Sequence, residues 1–168
     1  VMVKSDGSIY FTDPWSSIPL SPPSEYDLAV NGVYRLAPDL SRMSLLVKDM
    51  IFPNGLAFSP DEKIFYVNDL RRGHIRAYNV EHDGSLQMAS ERIFCDLRGD
   101  RPGHPDGMKV DLEGNVYCGG SGGLWILSPS GRHLGTIAHG QSKTTNLASG
   151  GGDRKPLFIT TQPQKKAN

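Results

Sequence analysis

Two short runs set an oxygen-bearing side chain between a proline and a glycine: Pro53-Asn54-Gly55 and Pro105-Asp106-Gly107. By themselves Asn-Gly and Asp-Gly are ordinary turn signals. Chemically the two differ. A carboxylate can take a proton, whereas an amide is no base at neutral pH and offers only its oxygen. His104 stands two residues before Asp106 and invites a general-base role, but a loop histidine with a solvated ring is the simpler reading. The run Gly119-Gly120-Ser121-Gly122-Gly123 has the glycine content of a phosphate-binding loop. It lacks the following Lys-Ser/Thr and the helix, so a tight turn is expected there. Cys95 and Cys118 give no disulfide framework and read as two thiols.

The elements that must position these residues are short. Apolar runs rich in Val, Ile, Tyr and Phe occur at 8–12, 32–36, 44–47, 63–68, 75–80, 92–95, 108–110, 115–118, 124–127, 134–137 and 157–161. Turn dipeptides separate them: Asp6-Gly7, Asn31-Gly32, Asp83-Gly84 and Glu113-Gly114. No convincing amphipathic helix is present. Strands at this rhythm predict an all-β fold.

The pattern also repeats. The segment from Pro53 to Glu62 leads into one strand, and the segment from Pro105 to Gly114 leads into another, 52 residues further on. Val3–Tyr10 resembles Val110–Tyr117, and a looser copy opens at Thr145-Asn146-Leu147. This period fits a four-stranded propeller blade of roughly 40–50 residues. The count is three blades and the opening of a fourth. Residues 1–161 are expected to form this unit, with 162–168 as a tail. Such an arc leaves apolar blade faces open, because a blade buries its faces only against neighbours. A second chain covering those edges is one way to close them.

Composition narrows the partners. Eighteen Lys and Arg balance eighteen Asp and Glu, with no basic stripe, which argues against nucleic acid and an anionic membrane as partners. No apolar run reaches the roughly 18 residues of a membrane span. The first residues have no basic segment followed by an apolar one, and with unpaired cysteines this sets a cytoplasmic expectation.

Several motifs in order resemble the SMP-30/gluconolactonase/luciferin-regenerating family. They are Ser5-Asp6-Gly7-Ser8-Ile9-Tyr10-Phe11-Thr12-Asp13-Pro14, Gly32-Val33-Tyr34-Arg35, the run from Phe52 to Glu62, the run from Pro105 to Asp111, and Gly114-Asn115-Val116-Tyr117. The resemblance runs from Val1 to about Thr160 and implies a six-bladed β-propeller, present here as about three to four blades. It further implies one divalent cation in the central channel: Ca²⁺ first, with Mg²⁺, Mn²⁺ or Zn²⁺ as alternatives. Asn54 and Asp106 match two ligand positions of the family. Its third ligand, an Asn, falls just before Val1, and its fourth, a Glu, in a blade upstream. The family's final strand has no match in the tail.

The activity implied is hydrolysis of a sugar lactone or similar small ester. Asp106 is then the candidate catalytic base, Asn54 and Asp106 the metal ligands, and Asp69 and Asp13 the candidates for contact with substrate. Without the resemblance, Asp69 would be a solvated loop acid and Asp13-Pro14 the cap of a strand. The polar, Pro-rich stretch from Trp15 to Asn31 could lie over the pocket. Two other readings are a non-catalytic cation-binding propeller and an inactive remnant with an incomplete metal site. Strictosidine-synthase-like propellers share the Pro53–Ser59 run more loosely, and Pro105–Asp111 favours the lactonase group.

Overall fold

The computed structural model describes residues 1–14, 30–140, 143–152 and 155–163. Within them the chain is all-β, as expected, with fourteen strands and no helix. The first sheet is β1 (Met2–Val3), β2 (Ile9–Asp13), β3 (Gly32–Leu36) and β4 (Met43–Val47). The second is β5 (Pro53–Phe58), β6 (Ile64–Asp69), β7 (His74–Val80) and β8 (Leu86–Asp96). The third is β9 (Met108–Val110), β10 (Val116–Gly120), β11 (Gly123–Leu127) and β12 (His133–Ile137). A two-stranded sheet, β13 (Lys143–Ser149) and β14 (Leu157–Gln162), follows. Each is an antiparallel meander in chain order, so three blades and the opening of a fourth are present.

Three strands differ from the sequence reading. β1 is two residues long, too short to stand out. β5 opens on Pro-Asn-Gly, a turn signal, yet Leu56, Ala57 and Phe58 pair with Val67, Tyr66 and Phe65. β13 is polar, and its strand state comes from pairing with β14. All three open their sheets. Two of them pack across sheet boundaries: β5 against β2 and β9, and β13 against β9 and β10. Contacts between sheets therefore override the weak local propensity.

Period-two alternation lets the second sheet bury both faces. Leu56, Phe58, Phe65, Val67 and Tyr78 join Tyr10, Val33 and Val47 in one core against the first sheet. Ala57, Tyr66, Ile75 and Ala77 join Met108, Val116, Cys118 and Leu127 in a second core against the third sheet. Within the first core, the Tyr10 and Phe58 rings meet edge to face at 4.9 Å, a geometry worth about 0.5–1.5 kcal/mol beyond area burial. Exposed apolar side chains, including Val3 and Leu45 on the first sheet and Phe158 on β14, fit the open faces expected of a partial ring. Residues 15–29 of the stretch proposed to overlie the pocket, and 164–168 of the tail, lie outside the described residues.

Candidate active site

The two proline-glycine runs open β5 and lead into β9, and the fold brings them together. In β5 the ladder shifts register between Pro53 and Leu56, which lifts Asn54 and Gly55 out of regular pairing. The freed backbone groups find side chains. The Thr12 hydroxyl, on β2, donates to the Asn54 carbonyl at 2.8 Å. The Gly55 N–H donates to Asn68 Oδ1 at 3.2 Å. Asn68 is fully buried on β6, and its Nδ2 donates onward to the Asp106 carbonyl at 2.6 Å. The same amide lies 3.4 Å from Cys118 Sγ, a thiol that burial pushes up to about 12 and so keeps inert.

Gly55 is required by this close approach. A Cβ there would overlap the Asp106 carbonyl oxygen and stand 2.7 Å from Asn68 Nδ2. Gly107 repeats the device one blade on, where a Cβ would overlap the Asn146 side chain. The Gly107 N–H donates to the Thr145 carbonyl at 2.9 Å and so ties the opening of β9 to β13.

Asp106 and Asn54 are both half-buried, and the Asn54 side chain hydrogen-bonds to the Asp106 carboxylate. Burial holds that carboxyl above the ordinary aspartate range. The bonds from Asn54 and the Gly107 N–H, and the charge of Lys143, offset the burial only in part. A carboxylate raised in this way is a stronger base than a solvated one. His104 departs from the solvated ring expected of it. It is half-buried, and burial, with the nearby charges of Lys143 and Arg71, lowers its pKa, so the imidazole is neutral at pH 7.

Asp69 is fully buried at the end of β6, opposite Pro53. Its carboxylate accepts the N–H groups of Ile51 (2.8 Å), Phe52 (3.2 Å), Arg71 (3.0 Å) and Arg72 (3.0 Å). It thereby clamps the approach to Asn54 onto the turn after β6. Asp13 ends β2, half-buried, beside the Thr12 that holds Asn54. The glycine run forms the expected tight turn, Ser121-Gly122, between β10 and β11, with Gly122 at φ +83°.

Sequence reasoning missed Thr12 and Asn68. Both are the penultimate residues of their sheets' second strands, and both hold the backbone carbonyl of the candidate residue on the next sheet. Aligning the strand ends, Thr12-Asp13 with Asn68-Asp69, was the available signal. Among the described residues no group of three or more His, Cys, Asp and Glu converges as a metal site. Asn54 and Asp106 fit a hard divalent cation in donor type, since both present oxygen, and supply two of the roughly six to eight oxygens Ca²⁺ takes.

The family model described as SMP-30/Gluconolactonase/LRE-like region matches residues 1–163. The chain is 33% identical over 163 residues to a gluconolactonase of Zymomonas mobilis, covering 94% of this chain and 46% of that protein. It is 28% identical over 137 residues to a pentonolactonase of Haloferax volcanii, covering 80% of this chain and 46% of that protein. Among solved structures, a gluconolactonase of Xanthomonas campestris superposes with a TM-score of 0.79 at 34% identity, covering 96% of this chain and 52% of the other. The chain thus spans about half the length of the relatives it matches.

Proposed function

The chain belongs to the SMP-30/gluconolactonase/LRE-like family, and from that premise we propose that the protein hydrolyses sugar lactones. The observation that carries this reading is the Asp106 carboxylate, raised by burial and bonded to the Asn54 side chain where two repeat openings meet. The curated relatives named as a gluconolactonase and a pentonolactonase support a polyhydroxy lactone as the substrate class.

In this reading Asp106 takes a proton from the attacking water. The water oxygen bonds to the lactone carbonyl carbon, the ring C–O bond breaks, and the ring oxygen leaves protonated as a hydroxyl. The product is an open-chain hydroxy acid. Asn54 stays neutral, orients the Asp106 carboxylate and contributes an amide oxygen. Asn54 and Asp106 would hold a divalent cation, Ca²⁺ first, and the chemistry it would supply when bound is Lewis-acid polarisation of an oxygen. Asp69 and Asp13 act from the ends of β6 and β2: Asp69 by holding the Ile51–Asn54 approach, Asp13 by facing the substrate. The reading extends to a cytoplasmic setting, where the free thiols Cys95 and Cys118 persist.

The relatives named as lactonases favour the enzyme over a passive cation-binding propeller. The test is proton release from D-glucono-lactone above the spontaneous rate, before and after chelation and with Ca²⁺ restored. Turnover that falls on chelation and returns with Ca²⁺ supports the reading. Turnover indifferent to chelation removes the cation from it, and no turnover above background overturns it.

A further inference from the structure

We propose that Ser121 is a positioning residue for Asp106: its hydroxyl seats the segment 97–107, which delivers the Asp106 carboxylate, on the glycine run of the third sheet. This rests on the lactone-hydrolase reading and adds to it a residue that acts through the backbone. It also gives the run Gly119–Gly123 a purpose other than a turn.

The segment joins β8 to β9 and has no strand of its own. Its backbone groups find partners on the turn after β10. The Ser121 hydroxyl accepts the Arg101 N–H at 3.0 Å and donates to the Arg101 carbonyl at 2.9 Å, so one side chain satisfies both groups of one residue. The Gly122 N–H donates to the Pro102 carbonyl at 2.8 Å, and the Ser121 N–H to the Leu97 carbonyl at 3.0 Å.

The seating continues residue by residue toward Asp106. Gly103, at φ +134°, lies so close to the run that a Cβ there would overlap the Gly120 carbonyl oxygen. The His104 carbonyl packs on Gly119, where a Cβ would stand 2.9 Å from its oxygen. Asn68 then holds the Asp106 carbonyl at 2.6 Å. Pro102 and Pro105 fix φ along this path, so a displacement at Arg101 is carried to Asp106 rather than absorbed between them.

The second sheet solves the same problem with a different side chain. There the Leu70 N–H donates to the Phe52 carbonyl at 2.9 Å, as the Ser121 N–H does to Leu97. Asp69, the last residue of β6, accepts the Ile51 and Phe52 N–H groups on the approach to Asn54. The last residue of β10 is Gly120, which has no side chain to offer. The hydroxyl one residue on does the work of Asp69, and does it for the approach to Asp106.

The test compares wild type, Ser121→Ala and Ser121→Thr as full chains. Backbone hydrogen exchange over 98–107 is expected to quicken about three- to tenfold in Ser121→Ala, with β5 unchanged. The kcat for D-glucono-lactone is expected to fall about ten- to hundredfold, with KM and melting temperature near wild type, because the lost bonds are solvent-exposed while the carboxylate is misplaced. Ser121→Thr keeps the hydroxyl and is expected to restore both slow exchange and kcat. Wild-type exchange over 98–107 in Ser121→Ala, wild-type kcat in that variant, or equal losses in Ser121→Ala and Ser121→Thr overturns the proposal. No turnover by the wild type defeats the hydrolase reading instead, and the exchange result still decides the seat.

Discussion

Asn68 Nδ2 donates a 2.6 Å hydrogen bond to the backbone carbonyl of Asp106 across the boundary between the second and third sheets. Its Oδ1 accepts the Gly55 N–H at 3.2 Å. One fully buried amide thus fixes the spacing of the two repeat openings whose side chains meet at the site. Asn68→Ala leaves those backbone groups without a partner, a cost of about 1–3 kcal/mol. Its melting temperature is expected to fall and its kcat/KM to fall with it. Wild-type kcat/KM in Asn68→Ala would show that the bridge does not position Asp106.

Gly55 and Gly107 lie where a Cβ would overlap the next sheet, whereas nothing lies within 4 Å of a Cβ at Gly135. Gly55→Ala and Gly107→Ala are each expected to destabilise by about 1–3 kcal/mol, as overpacked sites do. Gly135→Ala is the control, expected within about 0.5 kcal/mol of wild type. Urea unfolding of the three variants gives the order.

Glu62 has φ +56° at a turn position where the neighbouring repeats carry Gly7 and Gly114, at +87° and +85°. Its carboxylate accepts the Ser5 N–H at 2.8 Å and lies 3.2 Å from Lys4 Nζ, which ties the first sheet's turn to the second's. Both Glu62→Ala and Glu62→Gly lose those bonds, but only glycine sheds the left-handed backbone cost. Glu62→Gly is therefore expected to be about 1 kcal/mol more stable than Glu62→Ala. The reverse order in thermal melts would show that the positive φ is not strained.

The pH dependence follows from Asp106. Burial raises its folded pKa above the ordinary value of 3.8. Between those two values the folded state holds the extra proton, so stability drops as pH rises through that window and the penalty persists above it. Asp106→Asn removes the penalty. It is expected to melt above wild type at pH 7, measured without divalent cation, with the difference shrinking as pH falls toward 3.8. Activity is expected to run the other way, with wild-type kcat/KM rising with pH as Asp106 loses its proton. A pH-independent difference in melting temperature would contradict the raised carboxyl.

Much of this was legible in the residues. The Gly-punctuated apolar runs announce strands, and the period between Pro53 and Pro105 announces blades, because both reflect local sequence. β5 and β13 were not legible, because their strand state is imposed by neighbouring strands. In the site, Asn54 and Asp106 stand out by their matched positions. That their side chains meet depends on a register shift in β5 and on Asn68, whose place at a strand end looks unremarkable until the next sheet is beside it. His104 read as solvated because burial at a loop depends on what packs over it.

The most direct test of the account is the initial rate of D-glucono-lactone hydrolysis by wild type and by Asp106→Asn, each corrected for spontaneous opening. Loss of a positioned base costs about 10²–10⁴-fold, so Asp106→Asn is expected near background while retaining the wild-type fold by circular dichroism. Hydrolysis by folded Asp106→Asn at the wild-type rate would contradict the central claim.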